Sequence, residues 1–372
     1  MRIKQLLGGL SVEVFLRDYW QKRPLLVRNA IPGFKDLIEP GALFALTSRE
    51  DTTARMVRED QGAWELLHGP FKRKDFPSSK SSAVWTVLVQ ELNHHLRGAE
   101  ELLQQFDFIP HARLDDLMVS YAVAGGGVGP HFDSYDVFLL QGRGQRRWQI
   151  SAQTDLSLID GLPLKILQNF TPEQEWVLST GDMLYLPPCY AHNGIAVGEC
   201  MTYSVGFRAP STQEIVTQFL IYLQDRLQLP GIYQDPDLQA QAHPAQISET
   251  MLTQMEQMIQ QLTWTRADIA DFLGRYLTEP KAHVYFNPPD DMPGFEAFCE
   301  QVVRRGIRLA PQSRMLFHEN RFYLNGEPVT INEPGMLELA DRRAKDGSEL
   351  SRVYLQWLYE AMEDGFVVWD GK

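Results

Sequence analysis

The chain has 372 residues, which at about 100–200 residues per domain predicts two or three domains, and its composition is ordinary for a globular protein. Its formal net charge of −13 disfavours contact with nucleic acid or an anionic membrane and favours a basic protein or peptide as partner, although many cytoplasmic proteins are simply acidic. Its cysteines form no CxxC pair and no apolar run reaches the roughly 20 residues of a membrane span, so we expect a cytoplasmic protein.

The first 113 residues predict a mixture of helices and strands. Ser11 can cap a helix over 11–20, because the apolar residues after it recur at helical spacing. Residues 20–27 then predict a strand, since the residue before Pro24 favours extended geometry. A further helix is predicted from Trp85 to Leu103.

Residues 116–207 are rich in short β-type runs separated by turn residues. This spacing is typical of an all-β sandwich or barrel. The predicted strands are Leu117–Ala124, His131–Leu140, Arg146–Ile150, Glu175–Leu178, Asp182–Leu186 and Met201–Arg208.

Helical periodicity returns after Pro210. Ser211 and Glu214 form a capping-box pattern before one helix, and two more are predicted over Ser248–Leu262 and Thr265–Leu277. The second carries a stripe of methionines, which is more often a core or subunit interface than a ligand site.

The last segment follows a proline-rich linker at 288–293. It predicts a helix over Phe295–Arg305, a hairpin that turns at Asn325-Gly326, a helix over Ser348–Asp364 and a strand over Phe366–Trp369. Helices combined with a small hairpin indicate a compact winged-helix-like domain, whose acidic setting argues against reading DNA.

His131 and Asp133 lie two residues apart at the start of a predicted strand. A strand places residues i and i+2 on one face, so both side chains would point into one cavity, whereas Asp136 would lie on the other face. Nine histidines in such a chain give about one pair of this kind by chance. With His192 as a third ligand, however, the pair would complete the two-histidine, one-carboxylate triad of non-haem Fe(II) oxygenases.

The context of the pair favours a metal site over the other interpretations. The glycine-rich loop 125–129 could suggest a phosphate cradle, but no amphipathic helix follows it, so we expect it to let the backbone turn beside a cavity. His192 follows a strand and a proline turn, which predicts a place at the mouth of a barrel. Taken alone, it could be an ordinary loop histidine.

Arg146 shares one predicted strand face with Trp148 and Ile150. If that face is buried, the guanidinium needs a partner, because a lone buried charge is very unfavourable, and a carboxylate cosubstrate would be suitable. Ser120, on the strand before the glycine loop, could donate its hydroxyl to the same carboxylate. The alternatives are a surface cation for Arg146 and a plain strand serine for Ser120.

Several motifs together resemble the bacterial ribosomal oxygenases, which are Jumonji-C, cupin-like enzymes dependent on Fe(II) and 2-oxoglutarate. The similarity covers essentially the whole chain and is dense from Trp20 to Pro210. The motifs that carry it are Trp20-Gln-Lys-Arg-Pro, His68-Gly-Pro-Phe71, Gly125-Gly-Gly-Val-Gly-Pro-His-Phe-Asp-Ser-Tyr-Asp-Val-Phe138, Arg146-Arg-Trp148, Gly181-Asp-Met-Leu-Tyr-Leu-Pro-Pro188 and Tyr203-Ser-Val-Gly-Phe-Arg-Ala-Pro210.

The resemblance implies an α+β architecture of three parts. These would be a double-stranded β-helix (cupin/Jumonji-C) oxygenase domain over residues 1–209, a helical dimerisation region over 210–286 and a winged-helix-like domain over 287–372. The chain would then form a homodimer.

The resemblance also implies an activity and a site. The chain would hydroxylate an arginine side chain of the sixteenth protein of the large ribosomal subunit, using O2 and 2-oxoglutarate. His131, Asp133 and His192 would bind Fe(II), and Arg146 and Ser120 would bind 2-oxoglutarate. No departure from the family pattern occurs at these five positions. His68 lies in a matching motif but has no evident chemical role, so we expect a structural histidine.

Two alternatives remain open. One is a Jumonji-C hydroxylase or demethylase that acts on another protein residue and would have the same metal and cosubstrate sites. The other is a non-catalytic cupin-like module, with Zn(II) as a candidate metal, that serves assembly and would tolerate Arg146→Ala.

Overall fold

The computed structural model describes residues 2–77 and 82–371. No helix in these two ranges is long and apolar enough to span a membrane. Single-turn 3-10 helices lie at Arg73–Asp75 and Gln104–Phe106. The α-helices are α1 (Arg2–Leu6), α2 (Val12–Asp18), α3 (Pro40–Leu46), α4 (Leu92–His95), α5 (Arg97–Leu103), α6 (Thr212–Gln224), α7 (Glu249–Ile259), α8 (Arg266–Thr278), α9 (Phe295–Arg305), α10 (Met336–Arg342) and α11 (Arg352–Glu363).

The strands form two sheets in the first 207 residues and two small ones near the C-terminus. The strands are β1 (Leu25–Val27), β2 (Ala54–Asp60), β3 (Ala63–His68), β4 (Val84–Val89), β5 (Leu114–Ala122), β6 (Val137–Gln141), β7 (Gln145–Ser151), β8 (Gln174–Ser179), β9 (Met183–Leu186), β10 (Ala191–Ala196), β11 (Cys200–Phe207), β12 (Ile307–Leu309), β13 (Met315–His318), β14 (Arg321–Leu324), β15 (Glu327–Pro328), β16 (Ala344–Lys345) and β17 (Val367–Trp369). The order is β1-β9-β6-β11-β5-β4-β2-β3 in the large sheet, β10-β7-β8 in its neighbour, and β16-β12-β17 and β13-β14-β15 in the small ones.

The large sheet is covered on both faces. Alternate residues of its central strands, such as Phe138 and Tyr185, join the N-terminal helices in the largest hydrophobic cluster. The residues between them, such as Leu139 and Leu184, pack with Trp148 of β7 in a second cluster. The period of two residues explains this division. The face towards β7, β8 and β10 is called the inner face below.

The C-terminal region has a core of its own. Side chains of α9, α10 and α11, among them Phe298, Leu339 and Leu358, pack on the short strands in a separate cluster. By contrast, α6 and α7 leave large apolar side chains in solvent, including Leu220, Leu252 and Ile259. Helices α6 and α7 therefore carry apolar surface that the described part of one chain does not cover.

Most of the predicted elements are confirmed. Ser11 and Ser211 cap α2 and α6 through their side chains, and Thr265 caps α8. The predicted hairpin at Asn325-Gly326 connects β14 to β15, whose residues Leu324 and Glu327 are paired.

The helix predicted from Trp85 to Leu103 is wrong in its first part. Residues Val84–Val89 form β4, which pairs with both β2 and β5, and only α4 and α5 are helical after it. Trp85, Thr86 and Val87 belong to residue types that favour strands, and pairing on both sides decided the conformation. The strands β2 and β3 were missed altogether.

The strand predicted over His131–Leu140 is also wrong in its first part. Regular pairing begins at Val137, while His131 makes a single bridge to His192. His192 itself lies inside β10, a strand that the prediction did not include.

Candidate metal centre

The backbone brings His131 and His192 together. The His131 N–H donates to the His192 carbonyl oxygen at 2.9 Å, and the His192 N–H donates to the His131 carbonyl oxygen at 2.8 Å. A third bond, from the Cys189 N–H to the Asp133 carbonyl oxygen at 2.7 Å, ties the segment after His131 to the turn before β10. Three backbone bonds therefore fix the segments that carry the three predicted ligands.

The side chains of His131, Asp133 and His192 form one group. Their potential ligand atoms all lie within 4.8 Å of one another. The imidazole centroids are 4.2 Å apart, and His192 Nε2 lies 3.7 Å from Asp133 Oδ2. The structure thus brings all three residues together, although Asp133 reaches the group from an irregular segment and not from a regular strand.

In both imidazoles, the hydrogen bond that Nδ1 makes determines the tautomer and so leaves Nε2 as the atom able to bind a metal. His131 Nδ1 lies 2.9 Å from the Gly129 carbonyl oxygen, and His192 Nδ1 lies 2.9 Å from the Tyr190 carbonyl oxygen. A carbonyl oxygen can only accept, so both Nδ1 atoms donate and both Nε2 atoms keep a free lone pair. Burial, followed by the neighbouring His131, lowers the pKa of His192 well below its usual value, so this imidazole is neutral as a metal requires.

Asp136 lies outside this group, as predicted. It is fully buried and accepts hydrogen bonds from the Tyr185 hydroxyl at 2.6 Å and the Gln21 amide at 3.0 Å, and it pairs with Arg113 at 3.3 Å. Its carboxylate therefore joins the N-terminal segment to the far side of the large sheet.

The glycine loop allows close backbone approach. A methyl group at Gly127 would lie 2.5 Å from the Gly194 carbonyl oxygen, and one at Gly126 would lie 2.5 Å from the Trp85 carbonyl oxygen. No helix follows the loop in the described residues before α6. The close approach of the loop to β4 and β10 confirms that its glycines let the backbone turn sharply, and the cavity beside it stays a prediction.

Arg146 points to the interior from β7. It is paired with Ala196 of β10. Its side chain is 4% exposed, and Trp148 and Ile150 on the same face of the strand are also buried. Its Nε and Nη2 atoms are buried without a hydrogen-bond partner in the described residues. A guanidinium in this state needs an anion, and a planar carboxylate fits its fork. The interpretation of Arg146 as a surface cation is therefore wrong.

Ser120 lies on the inner face of β5. It is buried, and its hydroxyl donates to the Thr202 carbonyl oxygen of β11 at 3.5 Å, which is a long bond. The hydroxyl could therefore turn towards a better acceptor in the cavity.

Asp116 is an inner-face acid that the sequence analysis missed. It is 8% exposed, and in the described residues its only hydrogen bond comes from the Glu91 N–H at 2.9 Å, with no ion pair. Burial, with Asp115 next, raises its pKa to about 6. Burial, followed by Asp133 and then Asp116, raises the pKa of Tyr135, so the Tyr135 hydroxyl is close enough to both carboxylates to be affected by their charge. The signal in the sequence was the even spacing of Asp116 and Ser120 along one strand.

His68 is at the end of β3, opposite Arg55, and is exposed. It contributes nothing to the group around His131, and its structural role remains a prediction.

Comparison with known proteins agrees with this geometry. The JmjC domain family matches residues 101–215, and the ROXA-like winged helix family matches residues 257–367. The ribosomal protein uL16 3-hydroxylase of Escherichia coli is 35% identical over 337 residues, which cover 89% of this chain and 88% of that protein. This chain belongs to the bacterial ribosomal oxygenases.

Other relatives support the same assignment. A probable ribosomal oxygenase of Haemophilus influenzae is 32% identical over 95% of this chain and 91% of its own length. The X-ray structure of E. coli YcfD has a TM-score of 0.85 at 30% identity and covers 96% of this chain and 98% of its own. A complex of YcfD with cobalt and 2-oxoglutarate has a TM-score of 0.82 at 30% identity, covering 97% and 99%.

This ribosomal oxygenase is thus a 2-oxoglutarate- and Fe(II)-dependent hydroxylase with a winged-helix domain in its C-terminal third. Its residues fit both groups. Two imidazoles and one carboxylate are a donor set for Fe(II), and the Arg146 guanidinium, two of whose buried nitrogen atoms have no partner in the described residues, suits a dicarboxylic acid.

Proposed function

We propose that this ribosomal oxygenase hydroxylates an arginine side chain of uL16, the sixteenth protein of the large ribosomal subunit, in the cytoplasm. The E. coli relative is named for hydroxylation of the same ribosomal protein. The observation that carries the arginine is Asp116, a buried carboxylate on the same inner face of β5 as Ser120, which has no ion-pair partner among the described residues. A guanidinium would supply that partner, and ribosomal proteins are suited to a chain of net charge −13.

The metal ligands in this proposal are His131, Asp133 and His192. Two imidazole Nε2 atoms and one carboxylate would hold Fe(II) with three protein ligands, a number that leaves coordination positions for 2-oxoglutarate and O2. When bound, Fe(II) and 2-oxoglutarate would activate O2, which is the oxidant: one oxygen atom goes to succinate as 2-oxoglutarate loses CO2, and the other converts an unactivated C–H bond to an alcohol. Asp133 would offset part of the metal charge, and the hydrogen bonds from Nδ1 of both histidines to backbone carbonyls hold their rings in place.

Arg146 and Ser120 would bind the far carboxylate of 2-oxoglutarate. His192 is opposite Ile150 on β7, and Arg146 is four residues further along that strand, about 13 Å at 3.3 Å per residue. An extended arginine side chain and a five-carbon diacid together can bridge that distance. Ser120 approaches from the facing sheet, where its hydroxyl could donate to the same carboxylate.

The finer architecture belongs to the same proposal. We infer that the two facing sheets form a double-stranded β-helix over residues 1–209, that 210–286 is a dimerisation region and that 287–372 is the winged-helix-like unit. The exposed apolar side chains of α6 and α7 support a homodimer through these helices.

The test is to incubate the protein aerobically with Fe(II), 2-oxoglutarate and recombinant uL16, and to read intact and fragment masses. We expect one added oxygen on an arginine, lost in Asp133→Ala and strongly reduced in Asp116→Asn. Succinate without modified uL16 would exclude this substrate and favour a hydroxylase or demethylase of another residue. Neither product from iron-loaded protein would overturn the catalytic proposal in favour of a binding module.

A further inference from the structure

Glu91 has an unusual backbone conformation just before α4. Its φ and ψ are 54° and 37°, in the left-handed region, and it is 6% exposed. A residue with a side chain adopts this conformation at a cost, and only where its surroundings hold it. Its N–H donates to Asp116 Oδ2 at 2.9 Å, which is the one hydrogen bond that Asp116 accepts in the described residues. The backbone N–H of Glu91, a residue in a strained conformation, thus holds the Asp116 carboxylate by a hydrogen bond.

The Glu91 side chain is held from the other direction, by the segment after α8. Lys281 Nζ lies 2.9 Å from Oε1, and His283 Nε2 lies 2.6 Å from Oε2. Burial acts to raise the pKa of Glu91, but His283 and Lys281 outweigh it and lower the pKa to about 2, so the carboxylate is ionised. His94, 3.8 Å away on α4, adds a further contact.

The C-terminal region also holds the start of β5 itself. Arg314, which lies just before β13, donates from Nη1 to the Leu114 carbonyl oxygen at 3.0 Å and from Nη2 to the Asp115 carbonyl oxygen. Lys281 reaches Asp115 as well, at 3.1 Å. Leu114 and Asp115, the two residues before Asp116, are therefore bound by the side chains of Lys281 and Arg314.

We propose that Glu91 is a positioning residue for substrate recognition, which Lys281 and His283 hold so that its backbone N–H fixes the Asp116 carboxylate at the metal cavity. This inference rests on the proposed function, because Asp116 is there the partner of the substrate cation. The C-terminal region then contributes to recognition from outside the oxygenase site, without touching the substrate.

The variants that test this are Glu91→Gln and Lys281→Met, because each removes the charge pair and leaves the main chain and all five predicted iron and 2-oxoglutarate residues unchanged. Lys281→Arg keeps the charge. Arg97→Met is the matched control, since Arg97 of α5 forms a different contact with the C-terminal region, an ion pair with Asp370 at 3.2 Å.

We expect Glu91→Gln and Lys281→Met to raise the KM for uL16 roughly tenfold, the scale of a charge-assisted hydrogen bond, with kcat and the KM for 2-oxoglutarate unchanged. Lys281→Arg should recover most of the loss, and Arg97→Met should behave as wild type. In an Asp116→Asn background Glu91→Gln should have no further effect, because Glu91 acts through Asp116.

A second measurement does not depend on turnover. Hydrogen–deuterium exchange over residues 90–93 should become faster in Lys281→Met but not in Arg97→Met. If wild type modifies uL16 and the variants keep its KM, or if exchange is unchanged, the role of Glu91 is overturned and the proposed function stands. If wild type leaves uL16 unmodified, the proposed function fails and the recognition role of Glu91 fails with it.

Discussion

The main chains of His131 and His192 are joined by a reciprocal pair of hydrogen bonds, 2.9 and 2.8 Å long. The pair connects segments that are 61 residues apart in sequence (192 − 131). Since each imidazole also donates from Nδ1 to a backbone carbonyl, the main chain sets where both Nε2 atoms point. Changes that shift this backbone should therefore weaken metal binding without altering a ligand.

Gly127→Ala should demonstrate that dependence. The added methyl group would lie 2.5 Å from the Gly194 carbonyl oxygen, so the loop before His131 must move away from β10. Overpacking of this kind lowers the free energy of unfolding by about 1–3 kcal/mol. We expect that loss in thermal denaturation, and a weaker Co(II) affinity in absorbance titrations. Gly198→Ala, which meets no atom within 4 Å, is the control, and equal Co(II) affinities for the two variants would argue against the idea.

Arg146→Met should separate cosubstrate binding from metal binding. Removal of a charge-assisted pair worth about 1.5–3 kcal/mol should raise the KM for 2-oxoglutarate by roughly 10- to 100-fold and leave Co(II) affinity unchanged. The free protein should become no less stable, because two buried nitrogen atoms of the Arg146 guanidinium have no hydrogen-bond partner in the described part of the chain. Arg147→Met, on the other face of β7, provides the comparison. An unchanged KM for 2-oxoglutarate in Arg146→Met would remove Arg146 from the site.

Asp116 should make stability depend on pH. Burial, then Asp115, raises its folded-state pKa from 3.8 to about 6, so the folded protein holds this proton more tightly than the unfolded chain. The resulting stabilisation is complete below about pH 4 and is lost as the pH rises through about 6. Compared with Asp116→Asn, the free energy of unfolding of wild type should fall by up to about 3 kcal/mol over that range, at about 1.4 kcal/mol per pKa unit. If chemical denaturation shows the same pH dependence of the free energy of unfolding for wild type and Asp116→Asn, the raised pKa is not that of Asp116.

Substrate affinity should have the opposite pH dependence. A guanidinium binds the ionised carboxylate, so the KM for uL16 should decrease as the pH rises through about 6 and the Asp116 carboxyl loses its proton. Asp116→Asn should have a high KM without this transition. A transition that persists in the variant would assign the titration to another group.

Leu220→Glu should disrupt the proposed dimer. Leu220 is 49% exposed on α6, and a charge at the centre of an apolar contact between two chains would be costly. We expect light scattering to give a dimer mass for wild type at micromolar concentration and a monomer mass for the variant. Gln224→Glu introduces the same charge at another exposed position of α6 and should stay dimeric. A monomeric wild type would exclude the dimer itself.

The sequence was most informative where one residue type has few uses. The grouping of His131, Asp133 and His192 was predicted from strand alternation, from the ligand set of non-haem Fe(II) oxygenases and from the family resemblance. For Arg146 a buried and a surface position were both open, and the structure shows that it is buried. The reasoning was wrong in detail, since Asp133 is in an irregular segment and His192 is inside β10. Strand alternation gave the right neighbours there because the bridge between the histidines imposes a local extended conformation.

Features that depend on distant contacts could not be predicted. The residues after Trp85 have mixed propensities, and pairing with β2 and β5 decided for a strand. The role of Asp116 could not be read from its place in the strand, because that role depends on the hydrogen bond from Glu91 and on Asp116 having no ion pair of its own in the described residues. The Glu91 carboxylate is held by Lys281 and His283, which are 190 or more residues away in sequence. The residues next to Glu91 in the sequence give no sign of its left-handed conformation.

The most direct test of the site is a crystal structure with Co(II) and 2-oxoglutarate, in which anomalous scattering locates the metal. We predict the metal at bonding distance from Nε2 of His131 and His192 and from the Asp133 carboxylate, with the far carboxylate of 2-oxoglutarate on Arg146. Metal bound elsewhere, or a 2-oxoglutarate carboxylate that leaves Arg146 unpaired, would contradict the account.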